Sequence, residues 1–175
     1  MSDRTDLERL ADEVRCSHHG DAWHGSAVEE LLADVDHETA ALRSIPDAHT
    51  IWELALHIRS WRREVARRLA IRKSGTPDEG DYPPTPEGNA ATAEAWERDR
   101  ASLTAATQEL IDAIRKFAID ELDRPLDPKR DPALGTGVIT RVMIHGVAQH
   151  DAYHGGQIAL LKKAAAARAT KAGRS

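Results

Sequence analysis

Histidine is the residue type in this sequence with the clearest capacity for chemistry. Nine histidines are present, and His150 and His154 are four positions apart within a helix-like pattern. Their rings are therefore expected about one turn apart on one helix face, where two imidazoles can chelate one metal ion. His57 lies between Leu54 and Trp61, on the flank of the apolar stripe of another predicted helix. A polar side chain in that position needs a partner in the core.

These three histidines predict a metal centre. Three neutral imidazoles that converge from two helices suit one divalent ion, Zn²⁺, Ni²⁺ or Fe²⁺, so we predict His57, His150 and His154 as its ligands. The alternative is a helical bundle without metal, in which protein partners satisfy all three rings. His145 points to the opposite side of its helix from the pair, and we do not expect it to join the same site.

Other polar residues are candidates for a supporting layer around the ligands. Glu53 and Glu64 lie near the direction of His57 and are placed to orient its ring, although Glu53 also fits a capping role and Glu64 an exposed position. Asp151 and Gln157 lie beside the histidine pair on the last helix. We predict Glu53, Asp151 and Gln157 as the neighbours that support the metal ligands.

Helices must position these residues, and the apolar pattern predicts five of them. Ser26-x-x-Glu29 and Thr50-x-x-Glu53 form capping boxes that mark two helix starts. The predicted helices cover residues 3–16, the region from Ser26 to Pro46, and about 51–73, 91–117 and 138–167. Four long helices predict an all-α four-helix bundle with a short extra N-terminal helix. The proline- and glycine-rich connection at 74–89 predicts a crossover or a pocket-lining segment.

Length and composition fit one helical domain. The 175 residues suit a single domain over 1–175, with the residues after about 170 frayed. Hydrophobic residues make up 41% and charged residues 30% of the chain, which is a globular balance. Alanine is abundant and favours helices, because it loses no side-chain entropy on helix formation.

Charge and targeting signals exclude several classes of partner. A net charge of −5 argues against nucleic-acid binding, and the arginine-rich stretch at 59–73 is expected to form a solvated helix face. No run approaches the ~18 apolar residues of a membrane-spanning helix, so we expect no membrane partner. The charged N-terminus has no signal-peptide pattern and Cys16 is the one cysteine, which together predict a cytoplasmic protein.

Three motifs resemble those of the DinB/YfiT-like superfamily. Residues 150–158 (HDAYHGGQI) look like its last-helix motif, and residues 50–58 (TIWELALHI) with Trp61 look like its second-helix motif. Residues 22–26 (AWHGS) resemble its N-terminal motif. The three motifs occur in the right order and cover most of the predicted helical core.

The resemblance implies a four-helix bundle with up-down-down-up connectivity. It also implies one metal ion held by His57, His150 and His154, with water completing the coordination, and a homodimer. Characterised members include transferases and isomerases that use a low-molecular-weight thiol such as bacillithiol or mycothiol. Other members are described as metal hydrolases.

The function expected from these observations is a metal-dependent transferase that acts on a small molecule with such a thiol. The alternatives are a metal-dependent hydrolase and a non-catalytic metal-binding or sensing bundle. No general base is evident, and His24 and Glu64 are only weak candidates for one. The loops at 74–89 and 120–136 are expected to contact the substrate, but neither matches a pattern that names it.

Overall fold

The computed structural model is built from helices. It describes residues 3–127, 129, 131 and 136–172, and these contain no β-strand. The six α-helices are α1 (Asp3–His19), α2 (Val28–Leu32), α3 (His37–Ala41), α4 (Ile51–Ile71), α5 (Ala93–Arg115) and α6 (Thr140–Ala172). Short 3₁₀ turns cover Gly88–Ala90 and Ile119–Glu121.

Side-chain pairs between the four long helices fix their directions. Helices α1 and α6 are parallel, α4 and α5 are parallel, and the first pair is antiparallel to the second. Two contacts join α1 to α6, Asp6–Arg141 and Ser17–Asp151, and two join α4 to α5, Trp52–Asp99 and Arg63–Ser102. Two more join α4 to α6, His57–His154 and Arg62–Asp151, and two join α1 to α5, Glu8–Arg115 and His18–Thr104. The predicted all-α bundle with up-down-down-up connectivity is therefore confirmed.

The choice of the four bundle helices was partly wrong. The N-terminal helix, predicted as a short extra element, is α1, and it packs against α5 and α6 as one of the four. The long helix predicted after Ser26 is instead two short helices, because the Asp36 side chain accepts the Thr39 N–H and starts a new helix at α3. Its predicted capping box is also wrong, since Glu30 and not Glu29 accepts the backbone N–H that caps α2.

Two apolar clusters fill the bundle, one on each side of a polar layer. The first packs around Trp52 and Trp96, and the second packs around Leu110 and Ile144. Between them every long helix contributes buried polar side chains. These residues are Ser17, His18, His57, Ser60, Arg62, Thr107, Asp151 and His154. The metal-ligand candidates therefore lie in the middle of the bundle, and not at either end.

The start of α4 follows the predicted capping box. The Thr50 hydroxyl accepts the Glu53 N–H at 3.1 Å, and the Glu53 carboxylate accepts the Thr50 N–H at 2.7 Å. This reciprocal pair satisfies two backbone donors that have no partner inside the helix. The helix that carries His57 is thus fixed two turns before the ligand. Among the described residues, no helix has both the length and the apolar character needed to cross a bilayer.

Candidate metal centre

The three predicted ligands converge on one point between α4 and α6. The Nε2 atom of His150 lies 2.9 Å from Nε2 of His57 and 3.1 Å from Nε2 of His154. The side chains of His57 and His154 are buried, and His150 is half-buried. The prediction that two helices bring these three rings together is confirmed.

Neighbouring groups set the tautomers of two of the rings. His57 Nδ1 lies 2.7 Å from the backbone carbonyl oxygen of Asp81, which can only accept, so Nδ1 carries the proton. His154 Nδ1 lies 2.7 Å from Oε1 of Gln157, which also accepts. Both rings therefore present an Nε2 lone pair to the point of convergence. A single N–H on His150 can satisfy only one of these two lone pairs, so the cluster lacks a donor or a cation.

The electrostatics of the cluster keep all three rings neutral at pH 7. Burial, together with the neighbouring His154 and His57 rings, lowers the pKa of His150 to about 3. Burial also lowers the pKa of His57 and of His154, against the opposing effect of their hydrogen bonds to Asp81 and Gln157. Neutral imidazoles are the form that binds a metal ion.

The spacing of the nitrogens fits a metal ion. A metal–nitrogen bond is about 2.1 Å long, so ligands separated by tetrahedral to octahedral angles place their nitrogens roughly 3.0–3.4 Å apart. The observed separations of 2.9 and 3.1 Å are close to this range. Three ligands would leave at least one coordination position open, which is typical of catalytic sites and not of closed structural ones.

The sequence profile of the DinB superfamily matches residues 22–158, which is more than half of the chain. The chain belongs to the DinB superfamily. No curated protein and no solved structure gives a significant match. The matched region contains all three histidines of the cluster and four of the six helices in full, whereas α1 precedes it.

In this DinB-superfamily chain, the connection after α4 holds His57 in place. Gly80 accepts the Ser60 hydroxyl through its carbonyl at 2.6 Å, and the Asp81 carboxylate accepts the indole N–H of Trp61 at 2.6 Å. The Tyr82 ring stacks on His57 with the ring centroids 4.3 Å apart. The proline- and glycine-rich connection at 74–89 therefore lines the site, which confirms its predicted role as a pocket-lining segment.

One buried arginine joins all four long helices behind the ligands. Arg62 on α4 donates to Asp151 on α6 at 2.8 Å, to Thr107 on α5, and to Nδ1 of His18 on α1 at 3.0 Å. Asp151 also accepts the Ser17 hydroxyl at 2.6 Å. Both members of the ion pair are nearly inaccessible, with 1% and 0% of their side chains exposed. Asp151 separates the two ligands of α6 in sequence, so this network fixes the helix at the level of the metal centre.

The supporting residues predicted from sequence have different positions. Gln157 contacts a ligand directly, as its hydrogen bond to His154 shows. Asp151 bonds to Arg62 and Ser17, and no hydrogen bond joins it to a ligand ring within the described residues. Glu53 caps α4 and bonds Arg43, and among the described residues no hydrogen bond joins it to His57.

The weak acid–base candidates lie away from the cluster. His24 borders a separate groove beside Cys16 and Ala152. Glu64 is buried, contrary to its predicted exposure, and its carboxylate pairs with Arg67 and Arg68 at 2.7 Å each. Neither residue is placed to exchange a proton at the point where the three rings meet.

A second group of possible ligands is explained by its hydrogen bonds. His18, His19 and Glu29 lie close enough to share an ion. However, both ring nitrogens of His18 are engaged, Nδ1 by Arg62 and Nε2 by Thr104. Burial and then the Arg62 charge lower the pKa of His18 to about 2, so the ring is a neutral acceptor in the polar layer. It has no lone pair left for a metal ion.

Proposed function

We propose that this protein binds one divalent ion, Zn²⁺, Ni²⁺ or Fe²⁺, through His57, His150 and His154, and that it is a transferase using a low-molecular-weight thiol of the bacillithiol or mycothiol type. The observation that carries the proposal is the convergence of three neutral Nε2 atoms whose lone pairs have too few donors. Membership of the DinB superfamily supports it.

A cavity beside the cluster supports a catalytic role over a structural one. It has a volume of 450 Å³ and is bordered by His57 and His150, which is within the range of about 300–1,000 Å³ for small-molecule sites. When bound, a divalent ion would lower the pKa of a coordinated thiol or water and so supply a nucleophile at neutral pH. The chain would hold the ligand rings neutral, orient two of them through Asp81 and Gln157, and admit the substrate beside them.

The same cavity leaves a hydrolase as the second candidate. The Asp81 carboxylate borders the cavity and lies 3.3 Å from Nδ1 of His57. Asp81 is the acidic residue that borders this cavity, and a hydrolase would need such a group to accept a proton from the attacking water. The assay should therefore include an ester and an amide substrate series beside the thiol-transfer series, each with and without added thiol. Activity that does not require thiol would favour the hydrolase.

We also propose a homodimer that forms through the outer face of α6. Three apolar residues are exposed there, Tyr153, Leu160 and Val142, of which Val142 also borders the cavity; 65%, 61% and 49% of each residue is accessible. Their spacing of eleven and seven residues places them within about 20° of one another around the helix. In a dimer the side chains of this stripe would pack against a second copy of the chain and be removed from water. A cytoplasmic location remains part of this proposal, on the basis of the single cysteine.

Metal content tests the core of the proposal. We would purify the protein without a histidine tag, incubate it with each of the three ions, remove excess ion and measure metal by elemental analysis. About one ion per chain is expected. The His57→Ala/His150→Ala variant should bind none, whereas His145→Ala, which alters a histidine paired with Glu13 outside the cluster, should bind as the wild type does. Absence of metal in the wild type would refute the proposal.

A further inference from the structure

The walls of the cavity beside the triad are mostly apolar. The cavity lies between the later part of α4 and the first half of α6, and His57 and His150 stand at its border. The apolar residues that line it are Trp61, Val65, Val138, Val142, Met143 and Val147. A ligand that reaches the triad from this side therefore passes along an apolar surface.

Two arginines also border the cavity, but they present little charge to it. Arg62 is bonded to Asp151 and Thr107, and Arg68 is bonded to Glu64 and to the Gly75 carbonyl. Their residues are only 1% and 2% exposed. Groups of the protein itself pair with both guanidinium groups, so these arginines do not make the apolar surface an anion-binding site.

Gly146 is the residue of this wall that packing does not explain. Glycine is a poor helix residue because it loses more backbone entropy than any other residue, yet Gly146 lies within α6 and borders the cavity. A Cβ atom built on it would meet nothing within 4 Å. By contrast, a Cβ on Gly155 would lie 3.1 Å from Leu31, so close helix packing accounts for that glycine. The space in front of Gly146 is left open towards the cavity.

We propose that this cavity binds the apolar body of the substrate and that Gly146 sets how large that body can be. The substrate class is a small molecule with an aliphatic or aromatic portion and a reactive end at the triad. This inference rests on the proposed function for the role of the triad. A polar, sugar-containing thiol would lose hydration against these walls without gaining hydrogen bonds, so the apolar body belongs to the co-substrate that accepts the thiol.

A ladder of straight-chain thiols tests the cavity with the metal present. Ethanethiol to hexanethiol serve as probes: the sulfur binds the metal, and the alkyl chain stands in for the apolar body of the co-substrate. They would be titrated into Co²⁺-loaded protein, and the visible spectrum would report binding at the metal. We expect about fourfold tighter binding per added methylene, which corresponds to about 0.8 kcal/mol. Gly146→Leu should weaken the longer thiols and leave ethanethiol unchanged, and Gly146→Ala should have a smaller effect of the same kind.

A matched variant controls for a general effect of changing a glycine in α6. A Cβ on Gly156 would also meet nothing within 4 Å, but Gly156 is exposed and does not line the cavity. Gly156→Leu should therefore leave the whole ladder unchanged. The circular dichroism of each variant would establish that it is folded, and Gly146→Ala provides the test if Gly146→Leu does not fold.

A second ladder, of straight-chain alcohols on metal-free protein measured by calorimetry, separates the two proposals. An affinity gain per methylene that Gly146→Leu removes would support the cavity even if no metal binds and the proposed function fails. Thiols that bind the metal with equal affinity at every length would overturn the cavity proposal and leave the metal centre standing. If the affinity does not depend on chain length and Gly146→Leu changes only the oligomeric mass, the cavity belongs to a subunit contact. That result would also overturn the cavity proposal.

Discussion

The buried ion pair between Arg62 and Asp151 gives the sharpest prediction for stability. Asp151→Ala would leave the Arg62 guanidinium inside the bundle without its counter-charge. Removing one partner of a buried pair typically costs 3–5 kcal/mol of unfolding free energy. Ser17 would keep its second acceptor, the Val14 carbonyl, and Arg62 would keep Thr107. We therefore expect a loss near the lower end of that range, about 3 kcal/mol.

Two further variants isolate the cause of this loss. Replacing the whole pair by apolar residues of similar size, Arg62→Met/Asp151→Leu, should return the unfolding free energy to within about 1–2 kcal/mol of the wild type, because no buried charge remains. Glu8→Ala removes an exposed ion pair that joins α1 to α5 through Arg115, and it should cost less than about 1 kcal/mol.

Urea unfolding of metal-free protein at pH 7, followed by circular dichroism, measures all three variants. A chelator should be present throughout, so that metal binding does not contribute to the measured stability. The reasoning is refuted if Asp151→Ala costs no more than Glu8→Ala. It is also refuted if the double variant loses as much as Asp151→Ala, since the cost would then come from packing and not from the unpaired charge.

Three other measurements follow from the site and from α6. Gln157→Leu removes the acceptor that orients His154 and should weaken metal binding about 10–100-fold. Gln149→Leu, on the exposed face of α6, should not change the metal affinity. Equal affinities of the two variants in a competition titration would contradict the role of Gln157. Because the pKa of His150 is lowered to about 3, the folded metal-free protein binds fewer protons than the unfolded chain between pH 3 and about 6.5, so its unfolding free energy should fall as the pH falls through this window. His150→Gln should make that fall shallower by up to about 1.4 kcal/mol per pH unit, and identical slopes would show that the ring is not held neutral by burial. Leu160→Glu should convert a dimer to a monomer in sedimentation analysis, and an unchanged mass would exclude the α6 stripe as the interface.

Residues with strong local signals were predicted well from the sequence. Helices α4 and α5 begin and end within about two residues of their predicted limits, since the capping box of α4 and the apolar pattern of both helices act within one helix. The convergence of His57, His150 and His154 followed from an i, i+4 pair and one polar residue beside an apolar stripe. These features depend on few contacts distant in sequence.

The errors arose where the outcome depends on contacts between helices. The arginine-rich stretch at 59–73 was expected to be solvated, yet Arg62 and Arg68 are among the most buried large side chains. Periodicity assigns charged residues to the outside of a bundle. It cannot show that Asp151 and Glu64 are buried where they pair with Arg62 and Arg68. The roles of Asp81 and Tyr82 were likewise hidden, because the connection that carries them folds back onto α4 through contacts distant in sequence.

The polar layer makes the bundle two short cores joined end to end. Polar side chains make up the boundary between the cores, so a local opening there would expose less apolar surface than the opening of either core. That boundary contains the three histidines. An ion bound there would link α4 to α6. Amide hydrogen exchange around residues 57 and 150–154 should therefore slow on metal binding, while exchange at the two far ends of the bundle stays constant. In this architecture the candidate metal centre lies at the boundary between the two apolar cores.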